Sequence, residues 1–248
     1  DQLELCAMPV QSPSRVNALK NIATRLRIDS VRSTSEAASG HPSTCCSAAE
    51  IMAALFFSEM RYDPRDPKNP DNDRFVLSKG HGAPVLYAAW AEAGIIPRDE
   101  TLKLRRLDSD LEGHPTPRLP WVDVATGSLG QGLSLGVGHA LAVRLDKYDS
   151  RVFVMTGDGE LAEGQVWEAV MSAHKYQLDN LVAIVDQNGY QQTGSTEEVL
   201  DLKPLAPKFE AFGWFAQEID GHDLNAVCAA LDKATSTKGK PSVIVART

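Results

Sequence analysis

The chain has 248 residues, 43% of them hydrophobic, and a formal net charge of −8, enough apolar material for one large α/β domain or two small ones. The acidic balance, with no Lys/Arg cluster or basic helical stripe, argues against a nucleic acid or anionic membrane as partner. No apolar stretch approaches the ~20 residues that cross a bilayer, and the first residues lack the basic flank and apolar stretch of a signal peptide, so a cytoplasmic protein acting on small molecules or proteins is expected.

Residues 1–14 carry no period and are expected to be irregular. From residue 15 to 38, Leu19, Ile22, Leu26 and Val31 recur on one helical face. Gly40-His41-Pro42 stops that helix, and a second is expected over 47–60. A proline-punctuated loop, 62–74, leads to a short strand at 75–77, then Lys79-Gly80-His81-Gly82 and a helix over 84–93. A polar stretch ends in Gly113-His114-Pro115. A strand at 122–125, the turn Gly127-Ser128-Leu129-Gly130-Gln131-Gly132 and a helix to about 147 come next. Strands at 152–155 and 181–185 flank a crossover helix marked by Val166, Val170 and Ala173, the connection that adjacent parallel strands require. A helix at 205–212, a strand at 214–219, a helix at 225–234 and a strand at 243–246 complete the pattern. Short apolar runs between amphipathic stretches predict an α/β, doubly wound, mostly parallel sheet with helices on both faces, as a single domain over 15–248. The chain stops two residues after a buried-type strand; since function in this architecture sits on the loop after a strand, a continuation is expected.

Chemistry concentrates at the predicted carboxyl ends of the strands. Gly157-Asp158-Gly159 follows one strand, and Asn188 follows another 30 positions beyond Asp158. A hard anionic oxygen, a neutral one and two permissive glycines suit a magnesium ion carrying a diphosphate. The same run also reads as GxGxxA, the dinucleotide fingerprint, with Asp179 near the place of a ribose-binding acid. Asp158, Glu160 and Glu163 would repel an unassisted pyrophosphate there. An ordinary strand-to-helix turn is the plain alternative. Four of the six histidines, His41, His81, His114 and His222, follow glycine in predicted loops and are available for chemistry, whereas His139 and His174 read as structural. Glu163 and Glu168 begin the crossover helix, either as site groups or simply as acids favoured by its dipole. The cysteines, Cys6, Cys45, Cys46 and Cys228, lack paired spacing, which fits a reduced compartment; His41 and Cys45 lie four apart but lack the second pair a zinc site needs.

Taken together, Ser39-Gly40-His41-Pro42, Phe75-Val76-Leu77-Ser78-Lys79-Gly80-His81, Gly113-His114-Pro115, Thr126-Gly127-Ser128-Leu129-Gly130-Gln131-Gly132, Gly157-Asp158-Gly159-Glu160 with Asn188, and Asp220-Gly221-His222 resemble the amino-terminal, diphosphate-binding domain of transketolases, in transketolase order from about residue 17 onward. The resemblance implies thiamine diphosphate with Mg2+ (or Ca2+ or Mn2+). Asp158, Asn188 and the Tyr190 carbonyl would be the metal ligands. Gly157, Gly159, Glu160, Asn188, His81, Gly127, Ser128, Leu129 and Thr44 would line the cofactor. His41, His81 and His114 would serve substrate binding and proton transfer, and Glu163 and Glu168 an intersubunit proton relay.

The implied reaction moves a two-carbon ketol unit from a ketose (phosphate) to an aldose (phosphate), the cofactor serving as electron sink. Gln187 stands where the familiar motif has the first of two asparagines. The family's pyrimidine-binding domain, and the lysine and histidine expected past the last strand, are absent from the chain. A split enzyme is therefore implied, active only with a second subunit bearing that domain, with two copies of each chain. A fragment of a longer transketolase, a nicotinamide-dependent oxidoreductase, a noncatalytic relative and other thiamine enzymes are the competing readings.

Overall fold

The computed structural model describes residues 12–248; the rest of the segment expected to be irregular, residues 1–11, lies outside the described residues. Ser12 caps the first helix by accepting from the Arg15 amide, and Pro13 occupies the first turn, where a missing N–H costs nothing. The helix, α1 (Pro13–Glu36), therefore starts two residues before the expected boundary. It ends where Ala38 adopts a positive φ of 47°, before Gly40. A short helix not expected, α2 (Pro42–Ser47), opened by Pro42, comes next, and the helix expected over 47–60 is two pieces, α3 (Ala49–Ala54) and a π-helical turn, Leu55–Glu59, that turns Leu55, Phe56 and Phe57 inward.

Strand β1 (Arg74–Leu77) is followed by α4 (Ala83–Glu92), a 3-10 segment Arg98–Lys103 and α5 (Gln131–Leu145). Then come β2 (Val152–Gly157), a 3-10 turn Gly159–Ala162, α6 (Gly164–Lys175) and β3 (Leu181–Gln187). A two-strand ribbon, β4 (Tyr190–Gln191) with β5 (Gly194–Ser195), precedes α7 (Thr196–Leu200) and α8 (Ala206–Ala211); β6 (Phe215–Asp220), α9 (Leu224–Ser236) and β7 (Ser242–Arg247) close the chain.

Five strands form one parallel sheet in the order β1-β2-β3-β7-β6. Alternation along the central strands divides the core. Phe153, Met155, Val182, Ile184 and Ile244 pack under α1 to α4 and α9, while Val152, Val154, Ala183, Val185, Val243 and Val245 pack under α5, α6 and α8. Both faces are covered, as a buried parallel sheet requires. The edges are dissimilar from the centre: β1 has four residues, and β6 carries the partly or fully exposed Gln217, Glu218 and Asp220.

The strand expected at 122–125 does not form. Val122 and Val124 pack against opposite core layers, but the segment's amides bond locally, Val122 to the Leu119 carbonyl and Thr126 to the Pro115 carbonyl. Apolar content was read as sheet pairing, whereas here it anchors a loop. The ribbon β4–β5 and helix α7 were not anticipated, being too short to show a period.

Tight packing joins α5 to the end of β1. A Cβ placed on Gly132 would lie 2.2 Å from Ser78 Oγ and 2.7 Å from Ser78 Cα. Gly132→Ala is expected to destabilise the fold by about 1–3 kcal/mol through overpacking, although alanine is favoured over glycine in a helix by ~1 kcal/mol. Urea denaturation checks this, and a more stable variant would contradict it.

Candidate active site

The loops at the carboxyl ends of β1, β2 and β3 converge, the place where open parallel sheets take ligands. After β2, Asp158 is 6% exposed; its Oδ1 accepts from the Gly159 amide at 3.0 Å and its Oδ2 from the Gly189 amide at 2.9 Å. Burial raises its carboxyl above the ordinary range against these bonds, and Asp186 adds to the rise. Among the described residues no lysine, arginine or histidine pairs with it. Each oxygen keeps a lone pair, so a hard cation would satisfy a carboxylate that is otherwise costly to bury. Asn188 lies across the crevice, its Oδ1 accepting from the Tyr190 amide at 2.9 Å, and Tyr190 is exposed. No group of three or more His, Cys, Asp or Glu side chains is arranged for a metal among the described residues. The candidate set instead joins one carboxylate to an amide oxygen and a backbone carbonyl.

Glycine roles differ. A Cβ on Gly157 would meet nothing within 4 Å, leaving open space above the strand end, whereas one on Gly159 would lie 2.6 Å from the Gln191 Cβ. Gly159 is thus required by the ribbon packed over it. Glu160, placed among the cofactor residues by sequence, turns inward. Its Oε1 accepts from Ser78 Oγ and from the Gly130 amide at 2.8 Å, its Oε2 from the Gly157 amide at 3.1 Å. It ties the end of β1, the glycine-rich turn and the end of β2 together, and burial raises its carboxyl.

Histidines gather from three separate loops. The rings of His41 and His81 meet edge-on with centroids 5.2 Å apart, and His81 Nε2 lies 3.4 Å from Thr44 Oγ1. His114 packs on Gly127, whose φ of 138° turns the chain there; a Cβ on Gly127 would lie 2.9 Å from the His114 ring. Burial, Lys79, His41 and His114 push His81 from 6.5 to about 4, and burial with Arg105 and His41 lowers His114. Both rings are therefore neutral near pH 7. Ser128 and Leu129 are exposed in the same turn, which hands over to α5 at Gly130 with φ 89°. Glu163, at the amino end of α6, has its Cβ 2.6 Å from a Cβ placed on Gly130, and both it and Glu168 are exposed.

His222 lines a separate part of the crevice, with Ser47, Asn188, Tyr190 and Thr248. Its Nδ1 lies 3.0 Å from Glu50 Oε2; burial raises Glu50, but the hydrogen bonds from Arg27 and His222 outweigh it and hold the carboxyl low. Cys45 is buried and pushed up to about 12 by desolvation, which disfavours the thiolate a zinc ion would need. The dinucleotide reading loses its geometry: Gly157 and Gly159 lead into a 3-10 turn, not directly into a helix. Asp179 sits before β3, at the opposite edge of the sheet, accepting from the Gly239 amide.

Sequence reasoning missed the centre of this arrangement. Lys79 and Asp186 are each 0% exposed and form an ion pair, although 107 positions separate them. Ser47 Oγ and Thr248 Oγ1 each donate to Asp186 at 2.6 Å. A lysine inside a glycine-histidine loop and an acid ending an apolar strand were the available signals.

This arrangement, a doubly wound sheet with a diphosphate-type acid and clustered loop histidines at its carboxyl edge, defines a cofactor-binding α/β domain. The family description "Transketolase, thiamine diphosphate binding domain" matches residues 18–248, and the chain belongs to that family. It is 53% identical over 234 residues to "Transketolase-like protein 2" of Mus musculus, covering 94% of this chain and 37% of that protein. It is 45% identical over 210 residues to "6-deoxy-6-sulfo-D-fructose transketolase subunit SqwG" of Clostridium sp. (strain MSTE9), covering 84% of this chain and 76% of that protein. A transketolase structure from Campylobacter jejuni superposes with a TM-score of 0.89 at 31% identity, over 94% of this chain and 38% of the other. The chain thus spans little more than a third of the full-length transketolases it matches. No helix among the described residues is long and apolar enough to cross a membrane.

Burial of His81 has a pH signature. Below its ordinary 6.5 the unfolded chain takes up the proton more readily than the folded one, so acidification from about 6.5 toward 4 erodes stability. By NMR, one imidazole of the folded chain is expected to titrate near 4, and that signal should vanish in His81→Gln. A full set of histidines titrating near 6.5 would contradict the site's geometry.

Proposed function

We propose that the chain is the diphosphate-binding half of a two-chain, thiamine diphosphate- and Mg2+-dependent transketolase. It moves a two-carbon ketol unit from a ketose to an aldose, and is completed by a second subunit carrying the pyrimidine-binding domain, with two copies of each. The observation that carries the reading is the convergence of Asp158, Asn188, His81 and the glycine-rich turn at one crevice. The split is supported by the relative named as a transketolase subunit, 76% of whose length the chain covers.

In this reading Asp158, Asn188 and the Tyr190 carbonyl would hold the ion, an all-oxygen set of the kind magnesium takes. Gly157 would leave room for the diphosphate, with Gly159 beside it, and Thr44, His81 and the Gly127-Ser128-Leu129 turn would line the rest. When bound, the cofactor supplies the nucleophilic carbon and the electron sink for the transferred unit. His41 and His114 face the sugar. The His114 ring, whose pKa burial lowers, can accept a hydroxyl proton at one nitrogen and return it later, as general acid–base work requires. Glu163, just before α6, and Glu168 on it are exposed and would be available to a neighbouring subunit for proton relay. The subunit-named relative extends the donor class to ketoses ending in sulfonate as well as phosphate, which parallel assays separate.

Asp158→Ala is expected to weaken Mg2+-dependent thiamine diphosphate binding by roughly 100-fold or more and to abolish ketol transfer by the assembled enzyme. Calorimetric titration and a coupled transfer assay measure both. Wild-type affinity and activity in that variant would refute the reading, as would saturable NAD binding without magnesium.

A further inference from the structure

Four chain segments meet at one buried carboxylate beneath the crevice. Asp186 ends the buried part of β3, Lys79 follows β1, Ser47 ends α2, and Thr248 follows β7. Strand β2 lies between β1 and β3, and Gly157 is the register partner of Asp186. The Lys79–Asp186 pair therefore reaches over the end of β2, directly under the Gly157-Asp158-Gly159 turn. Lys79 Nζ also lies 3.4 Å from the Thr44 carbonyl, and the Asp158 amide donates to the Asp186 carbonyl at 3.3 Å. One flank of the crevice, with Thr44 and His81, hangs from Lys79; the other, with Asp158 and Asn188, hangs from Asp186.

We infer that Lys79 and Asp186 are positioning residues, whose ion pair sets the distance between the Thr44/His81 flank and the Asp158/Asn188 flank so that one cofactor engages both at once. The inference rests on the function proposed above. Stability alone is a poor reason to keep such a pair, because well-packed uncharged groups of similar volume often serve a fold as well or better. Directionality is what an ion pair with two hydroxyl donors adds: Asp186 can sit in one place only while Lys79, Ser47 and Thr248 all reach it. Neither side chain faces the crevice, and both act through the segments they hold.

The test compares wild type with two variants. Lys79→Met/Asp186→Asn removes both charges while leaving an acceptor for Ser47 and Thr248; Ser47→Ala/Thr248→Val keeps the ion pair and releases Asp186 from its outer anchors. Thermal unfolding establishes which variants fold. Each, assembled with the partner subunit, is then titrated calorimetrically with thiamine diphosphate plus Mg2+, and with inorganic pyrophosphate plus Mg2+, which reaches only the Asp158/Asn188 flank. In the first variant the Kd for thiamine diphosphate is expected to rise roughly 10- to 100-fold, and in the second roughly fivefold. The Kd for pyrophosphate should change much less in both. Wild-type affinity for thiamine diphosphate in a folded variant, or equal losses for the two ligands, overturns the inference. Should the charge-removed protein fail to fold, the anchor variant decides alone. Failure of the wild-type chain, assembled with its partner subunit, to bind thiamine diphosphate would instead bring down the proposed function.

Discussion

The Lys79–Asp186 ion pair is the constraint around which the functional edge of this domain is built. Both groups are removed from water, a state that costs several kcal/mol per ion unless geometry and extra hydrogen bonds compensate. Asp186 receives those bonds from Ser47 and Thr248, so the carboxylate is satisfied on both oxygens. With that cluster closed, the loops after β1, β2 and β3 have few ways to move independently. Glu160 repeats the device one layer away, accepting from Ser78, Gly130 and Gly157. Two buried carboxylates thus hold the crevice from beneath, and neither uses its charge on the ligand side.

Electrostatics above these supports follow from burial. Lys79 places a positive charge near His81, and desolvation acts in the same direction, so the imidazole stays neutral far below its ordinary range. Asp158 feels the reverse: burial and the Asp186 charge both disfavour its anionic form, against two amide hydrogen bonds. A carboxylate in that state gains from a divalent cation. Positive interior charge near the histidines and negative charge near the acid are arranged by the same ion pair.

Much of this was legible from the chain alone because the signals were local. Apolar runs of strand length, the glycine-histidine loops and the strand-end Asp158 each carry their meaning within a few residues, and the five sheet strands, the crossover helix and the family followed from them. What stayed hidden was tertiary. Nothing near Lys79 announces a partner 107 positions away, and Glu160, beside a metal-type aspartate, reads as a ligand until its backbone partners are seen. The run at 122–125 misled for the converse reason: its valines have a strand's composition, but they enter two different core layers from a loop. Asp179 was equally deceptive, since spacing along the chain does not say which end of the sheet a residue occupies.

The two outer strands have a bearing on how copies of this domain meet. β1 offers four residues, and β6 bears Gln217, Glu218 and Asp220 along its margin. Short or charged borders resist the strand-to-strand stacking that drives fibrils and adventitious pairing. Association is thereby steered away from backbone ladders and toward side-chain surfaces on helices and loops, where recognition can discriminate one neighbour from another.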